Sequence, residues 1–368
     1  MRGEMMIRTG VVGASGWARN AHLPALAALP EYEITAVATT RQESADRVAA
    51  EYGVPLAFAD PGLLIAHDQV DLVVVSVRAP EHAKLIKAAL EAGKHVLSEW
   101  PLTVDHAEAA ELAGLAASAG VVHAVCLQGC HSPDVRFVAD LVAGGRIGRL
   151  ESAIMVASGA VLGGATIPAE LAWSTDPAGG TNVLTIMAGH FLPVLERLAG
   201  RLVEVTARLP RLYDEVIVAG TGRTIPNRVP GQVLLHGLLD GGVTASVAVY
   251  GGSQGPDGFF VKLVGSAGTL TITNPRPGAF LHWTDWDIRS DDGERLTVPD
   301  AYRTVPFDPA AGPAANVAAL YRHLARAIAE GRPADPDFHA AARHHRVLAA
   351  IERSAASGGP ERISGATG

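Results

Sequence analysis

Across residues 1–125, short β-branched runs alternate with alanine- and leucine-rich stretches of helical period, and few folds accommodate that alternation. Residues 7–12, 33–38, 72–77, 95–98 and 121–127 read as strands. Continuous apolar runs separated by helices mark strands buried on both faces of a parallel sheet. In the helix after Pro80, Leu85, Ile86, Ala89 and Leu90 fall on one face. The repeated strand–helix–strand unit predicts a doubly wound α/β domain over residues 1–127.

The first strand runs into Gly10-Val-Val-Gly13-Ala-Ser15-Gly16-Trp17-Ala18. A glycine turn between strand and helix lets backbone N–H groups approach a pyrophosphate, and the helix dipole adds to the attraction. Read as Gly13-x-Ser15-x-x-Ala18, the fingerprint has serine at its second glycine, and Gly16 offers another path around the phosphates. The bland alternative is an ordinary tight turn. Placement between the first strand and a helix favours the nucleotide reading, so Gly13, Ser15, Gly16, Trp17 and Ala18 are candidate cofactor contacts.

The second strand ends in Thr39, Thr40 and Arg41, with no acid before Glu43. An acid there would hold a ribose 2′-hydroxyl. Two hydroxyls and a guanidinium suit a 2′-phosphate, which favours NADP over NAD unless Arg41 is merely a solvated helix-start residue. The fourth strand leads into Ser76-Val77-Arg78-Ala79-Pro80-Glu81-His82, where the nicotinamide end belongs. Val77, Arg78 and His82 are candidates. Arg78 reads equally as a phosphate or carboxylate ligand and as a surface residue.

Beyond residue 150 the texture changes. Residues 150–158, 202–209, 233–239, 243–250, 259–264 and 269–274 read as strands, and Asp240-Gly241-Gly242 between two of them is a hairpin signal. A large open antiparallel sheet over 128–313 is expected, interrupted by a helix over 181–199, with 274–313 as long loop. Helices over 314–368, with stripes Leu320, Leu324, Ile328 and Val347, Leu348, Ile351, are expected to pack back on the nucleotide domain.

Composition narrows the function classes. A hydrophobic share of 48% supplies large cores, and the net charge of −8 with no basic run leaves no nucleic-acid footprint. No stretch reads as a membrane span. Two cysteines, Cys126 and Cys130, fit a reducing cytoplasm. With His123 and His131 nearby they invite a zinc reading, but a second ligand pair is absent. Apolar filling is favoured and no metal is expected.

Two further segments carry a resemblance. Residues 92–102 end a strand at Ser98-Glu99-Trp100-Pro101, and residues 179–190 run Gly-Gly-Thr-Asn182-Val-Leu-Thr-Ile186-Met-Ala-Gly189-His190. With Ala88-Ala-Leu-Glu-Ala-Gly-Lys-His-Val, Gly265-Ser-Ala-Gly-Thr-Leu270 and Pro336-Asp-Phe-His-Ala-Ala, they resemble the glucose-fructose oxidoreductase, inositol dehydrogenase and rhizopine-catabolism family (Gfo/Idh/MocA). The resemblance implies a glucose-fructose oxidoreductase-like pair of domains, a dinucleotide cofactor whose nicotinamide end meets Glu99 and Trp100, and a cleft for a sugar or polyol. It also implies a homodimer or homotetramer formed through the sheet.

The departures from that family are specific. Its Glu-Lys-Pro turn places a catalytic lysine between nicotinamide and substrate hydroxyl; Trp100 stands there in this chain. The acids flanking its helix histidine are Ile186 and Pro193 here. His190 is kept as acid/base candidate, with a buried structural histidine as the alternative. Gln128, Trp173 and Asn182 are further substrate candidates, although Trp173 reads as well as core. Trp100 itself can stack on a sugar or nicotinamide, plug the lysine's volume, or simply pack. A subgroup resembling the fungal galactose-regulon repressors shares an aromatic in this turn, Leu127-Gln128-Gly129 and Ser132-Pro133. Two functions follow: an NAD(P)-dependent oxidoreductase, or an inactive dinucleotide- and sugar-binding regulator that acts through a protein partner.

Overall fold

The computed structural model describes residues 6–252, 258–274, 280, 283, 285–307 and 312–363. The chain divides into two compact units, one of Met1–Gln128 with Val305–Arg343, the other of Gly129–Thr304 with His344–Gly368.

The first unit is built on β1 (Ile7–Val12), α1 (Trp17–Asn20), α2 (His22–Ala27), β2 (Tyr32–Ala38), α3 (Gln42–Tyr52), β3 (Leu56–Phe58), α4 (Pro61–Ile65), β4 (Leu72–Val75), α5 (His82–Glu91), β5 (His95–Glu99), α6 (His106–Ala119) and β6 (His123–Cys126). Its six strands lie in the order β3-β2-β1-β4-β5-β6, all parallel. This is the doubly wound arrangement, and the order reverses between β1 and β4. Val11, Val37, Val73, Val74, Val96 and Leu97 are fully buried, as strands covered on both faces require. The edge strand β3 escapes the sequence reading because its three half-buried residues are too few to show a period. At the other edge, Val125 N–H donates to Pro336 O at 3.1 Å and His123 Nδ1 accepts from Phe338 N–H at 3.2 Å, so a C-terminal segment covers β6.

The second unit contains α7 (Pro133–Ala143), β7 (Leu150–Gly159), β8 (Thr166–Ile167), α8 (Gly189–Ala199), β9 (Leu202–Arg208), β10 (Glu215–Val218), β11 (Thr224–Pro226), β12 (Gln232–Leu239), β13 (Thr244–Gly251), β14 (Phe259–Gly265), β15 (Gly268–Thr273), β16 (Asp287–Ser290) and β17 (Arg295–Leu296). The tail adds α9 (Pro313–Glu330), α10 (Phe338–Ser357) and β18 (Glu361–Arg362). The large sheet has nine strands in the order β17-β16-β15-β14-β7-β13-β12-β9-β18. It is mixed, because β7 and β13 pair in parallel while the other neighbours run antiparallel. Alternation sets its faces: Ala245, Val247 and Val249 point into the core and Thr244 and Ser246 out.

Several expectations need correction. Residues 274–313 are not all loop, since β16 and β17 extend the sheet there. Their arginines and aspartates, polar as edge strands tend to be, hide the strand pattern. A small sheet, β11-β10-β8, forms around Ile167, Val216 and Val218. The tail is divided: α9 belongs to the first unit, but from His344 onward α10 belongs to the second, where Ser354 Oγ accepts from Ala207 N–H and β18 joins β9. The helix over 181–199 is two pieces, a π-helix at Val183–Ala188 and then α8. The run Pro177–Ala199 is long enough for a membrane span and holds an 18-residue stretch of mean hydropathy 1.2, but 67% of that stretch is buried in the fold, as a core helix would be.

One buried acid has a measurable consequence. Asp134, in the first turn of α7, is 2% exposed, and its Oδ1 accepts from Trp286 N–H at 2.9 Å. Burial, reinforced by Asp285, pushes its carboxyl up from 3.8 to about 6 despite that bond and Arg303. The folded protein therefore holds this proton more tightly than the unfolded chain. Stability from Asp134 is fully present below about pH 4 and is lost as pH rises through about 6. The full effect is on the order of 3 kcal/mol. Asp134→Asn keeps the acceptor and cannot ionise. Denaturation across this range should give a flatter pH profile for the variant and greater stability than wild type above pH 6; parallel profiles would refute the assignment.

Candidate functional site

The C-terminal end of β1 carries the glycine turn. Gly13 and Ala14 N–H groups both donate to Ala38 O, at 2.9 and 3.1 Å, folding the turn across the end of β2. Gly13 has φ +83°, and a Cβ there would lie 2.1 Å from Ser76 O at the end of β4. Close approach of the two strand ends thus dictates glycine. Gly16 differs: its φ is +51°, but a Cβ would meet nothing within 4 Å. Ser15 and Gly16 are exposed, Ala18 is fully buried, and Trp17 packs partly against the core. The accessible rim is therefore Ser15–Gly16. The helix that follows has only four residues, so its dipole is weak, and the N–H groups of Gly13, Ala14, Ser15 and Ala18 all donate to carbonyls within or beside the turn, so the exposed backbone at Gly16 is where an anion would approach.

At the end of β2, Thr39 is committed to the backbone. Its N–H donates to Phe58 O at 3.1 Å and its hydroxyl to Arg41 O at 2.8 Å. Thr40 and Arg41 stand exposed before α3. A hydroxyl and a guanidinium remain available there.

His82 draws the ends of β4 and β5 together. It is 1% exposed, with Nδ1 at 2.8 Å from Pro101 O and Nε2 at 3.1 Å from Val77 O. Burial holds the ring below its usual range, so it is neutral and can donate one proton, the shorter contact marking Nδ1. His82 is therefore a strut between the Val77 loop and the Trp100–Pro101 turn rather than a group presented to a cofactor. Arg78 is exposed beside it, and Trp100 is 3% exposed.

Glu99 belongs to a buried network that the sequence reading missed. Its Oε1 lies 2.7 Å from His22 Nε2, and His22 Nδ1 lies 2.8 Å from Tyr321 Oη. Burial pushes the Tyr321 phenol well up, so it donates to His22, which in turn donates to Glu99. Burial and Glu99 push the Cys126 thiol well up, and its S–H points at Gln128 Oε1, 3.7 Å away. Gln128 is 1% exposed, and its Oε1 meets this buried thiol. His22, Glu99 and Cys126 offer ligand atoms within 4.8 Å of one another. Two ligands of a tetrahedral zinc stand about 3.3 Å apart; the 2.7 Å His22–Glu99 separation is that of a hydrogen bond.

In the second unit, Asn182 acts as a helix cap. Its Oδ1 accepts from Leu184 and Thr185 N–H groups at 2.9 and 3.1 Å, while its own N–H donates to Thr185 Oγ1 at 2.9 Å. Asparagine suits this role because its side chain replaces missing helical acceptors. Trp173 donates Nε1–H to Glu170 O at 2.8 Å, and a Cβ on Gly179 would lie 2.8 Å from its ring, so Trp173 is packed locally. His190 is 8% exposed, with the Phe280 ring edge-on at 5.9 Å. Phe280 also meets Phe191 at 4.7 Å and Trp283 at 4.9 Å. This aromatic wall beside His190 was missed because its residues lie in a stretch rich in glycine and proline. An imidazole against aromatic faces can exchange a proton with a hydroxyl whose ring stacks alongside.

Comparison with known proteins gives two domain matches. Residues 7–126 match the oxidoreductase family with NAD-binding Rossmann fold, and residues 133–274 match the Gal80p C-terminal domain. Dehydrogenase aclE of Aspergillus oryzae is 30% identical over 285 residues, covering 73% of this chain and 77% of that one. The galactose/lactose metabolism regulatory protein GAL80 of Saccharomyces cerevisiae is 26% identical over 303 residues, 73% of this chain and 69% of its own. Among solved structures, levoglucosan dehydrogenase in complex with NADH and L-sorbose shares the fold, with a TM-score of 0.87 over 98% of this chain and 100% of that one at 21% identity.

The two glycines of the turn separate folding from binding. Gly13→Ala should fail to fold or lose several kcal/mol, because its methyl must displace backbone at Ser76. Gly16→Ala should fold with a penalty of about 1–3 kcal/mol and lose dinucleotide affinity, since its methyl projects into the open side of the turn. Thermal melts and fluorescence titrations of both variants check this; unchanged affinity in a folded Gly16→Ala would remove Gly16 from the phosphate site.

Proposed function

Because this chain belongs to the Gfo/Idh/MocA oxidoreductase family and carries a Gal80p-like C-terminal domain, we propose that it is a nicotinamide-dinucleotide-dependent dehydrogenase of a sugar, a polyol or a related small hydroxy compound. The observation that carries this reading is His190, an ionisable side chain walled by Phe280, where the neighbouring positions Ile186 and Pro193 offer no proton carrier.

The glycine turn fits a dinucleotide: at Gly16 the backbone is exposed and a Cβ would meet nothing within 4 Å, so a pyrophosphate could approach it closely. A bound nicotinamide would supply the hydride acceptor. Arg41 and Thr40 at the end of β2, with no acid between Thr39 and Gln42, favour a 2′-phosphate and hence NADP over NAD. When a carbinol is oxidised, His190 accepts the hydroxyl proton as the C–H leaves as hydride; in reduction it returns that proton. A positioned acid/base of this kind is worth roughly 10²–10⁴-fold. Phe280 and Trp283 give a sugar ring its apolar contact.

The outward face of the large sheet, with Ile154, Val156, Leu234 and Ala248 around His236 and Arg208, is our choice for the contact with a second copy in a homodimer or homotetramer. Two buried cysteines outside any disulfide, Cys126 and Cys130, suit the reducing cytoplasm.

A second reading is favoured by the GAL80 likeness together with Trp100 in the Glu-x-Pro turn: a sugar- and dinucleotide-binding regulator acting on a protein partner. Titration of the protein with NADP(H) and NAD(H), followed by absorbance at the nicotinamide band with a panel of sugars and polyols, discriminates the two. The expected result is tighter binding of NADP(H) with turnover, and a fall in kcat of about 10²-fold or more in His190→Ala. Binding without turnover supports the regulator. Trp100→Lys should then create sugar oxidation where the wild type has none, if the indole fills the place of a catalytic lysine.

A further inference from the structure

The run that delivers His190 contains an irregularity with a definite chemical cost. Val183–Ala188 is a π-helix in which Gly189 N–H reaches back to Leu184 O, and α8 begins at Gly189. One wide turn shifts the register by about one residue, roughly 100° of rotation about the axis. In the α8 geometry that follows, Gly189 O would ordinarily receive the N–H of residue 193. That residue is Pro193, which has no N–H and whose ring crowds the carbonyl four positions earlier. The Gly189 carbonyl is thus deprived of its helical donor by the sequence itself.

His344 fills that place. It lies on α10, is 2% exposed, and its Nε2 stands 2.8 Å from Gly189 O. A carbonyl accepts only, so Nε2 carries the proton. Gly189 O and His190 N belong to one planar peptide unit, so fixing that oxygen fixes the plane from which the His190 side chain departs.

We infer that His344 is a positioning residue: by donating to the Gly189 carbonyl that Pro193 leaves without its helical partner, it sets the orientation of the His190 imidazole. The inference rests on the reading of His190 as proton carrier only for its kinetic consequence; the orientation itself is measurable without turnover. The three residues act as a unit in which Pro193 creates the need, His344 meets it, and His190 inherits the geometry. The histidine on α10 thereby joins the candidate site although it would touch neither substrate nor cofactor.

The test is a set of five proteins: wild type, His344→Leu, His344→Gln, Pro193→Ala and the double variant Pro193→Ala/His344→Leu. Leucine removes the donor, glutamine keeps an N–H at comparable reach, and alanine at 193 restores the helical N–H to Gly189 O. The first readout is the ¹⁵N and ¹³C shifts of the His190 imidazole and their titration across the neutral range. The second is kcat and KM with any active sugar, with dinucleotide affinity as the folding control. In His344→Leu the His190 signals should move and the titration midpoint should shift by about half a pH unit or more. Turnover should fall by up to about 100-fold, with dinucleotide affinity kept. His344→Gln and the double variant should both return towards wild type. Unmoved His190 signals in a folded His344→Leu would overturn the inference. Should His344→Leu not fold, the double variant decides: rescue by Pro193→Ala supports the inference, and wild-type His190 signals in Pro193→Ala with no rescue of the double variant overturn it. Moved His190 signals in a protein that never turns over any sugar would leave the positioning role intact and count against the dehydrogenase reading alone.

Discussion

Two neighbouring parallel strands end so close together that one residue between them can carry no side chain. A Cβ at Gly13 would sit 2.1 Å from Ser76 O, so the ends of β1 and β4 can meet only if glycine stands there. That meeting is the point at which strand order reverses in the first unit, and loops from both sides converge on it. Everything proposed for the nucleotide site follows from it: the path of the turn over Ala38 O, the open space at Gly16, and the placement of Val77. The β4–α5 loop is then tied by His82 to the carbonyl of Pro101, which fixes the turn that carries Trp100.

Buried histidines recur as internal supports. His82 bridges two loops, His22 links Tyr321 to Glu99, and His344 meets Gly189 O. The imidazole suits this work because it carries two nitrogens on a rigid ring and can place each against a polar group in an apolar interior. The same property makes a histidine in a sequence look like a ligand or a catalyst. Sequence position alone does not separate the roles; burial and partners do. Asn182 and Trp173 make the parallel point, one as a cap and the other as an anchor on Glu170 O.

Family membership and chemistry carry different weight here. The likeness to aclE and to GAL80 covers the same share of the chain, 73%, yet one name is that of a dehydrogenase and the other that of a regulator. A shared fold allows both. A dehydrogenase needs a proton carrier and a regulator does not, so under the proposed reading His190, with its aromatic wall, is the residue on which the two would differ.

The alternation of apolar runs and helical periods determined the doubly wound domain, and the glycine turn from Gly13 to Gly16 was legible as the link from β1 to α1 because periodicity and glycine placement are local properties. The strands of the second unit with clear alternation, such as residues 150–158 and 259–264, were equally legible. Tertiary structure decided the rest. The polar edge strands β16 and β17, the three-residue β3 and the parallel pairing of β7 with β13 have no local signature, because strand partners are chosen by distant contacts. The roles of Gln128, Thr39, His82 and Asn182 were likewise set by what the fold brings against them. So was the bond from His344 to Gly189, 155 residues away in sequence. A hydrogen bond depends on a partner within about 3 Å, and only folding brings such partners together.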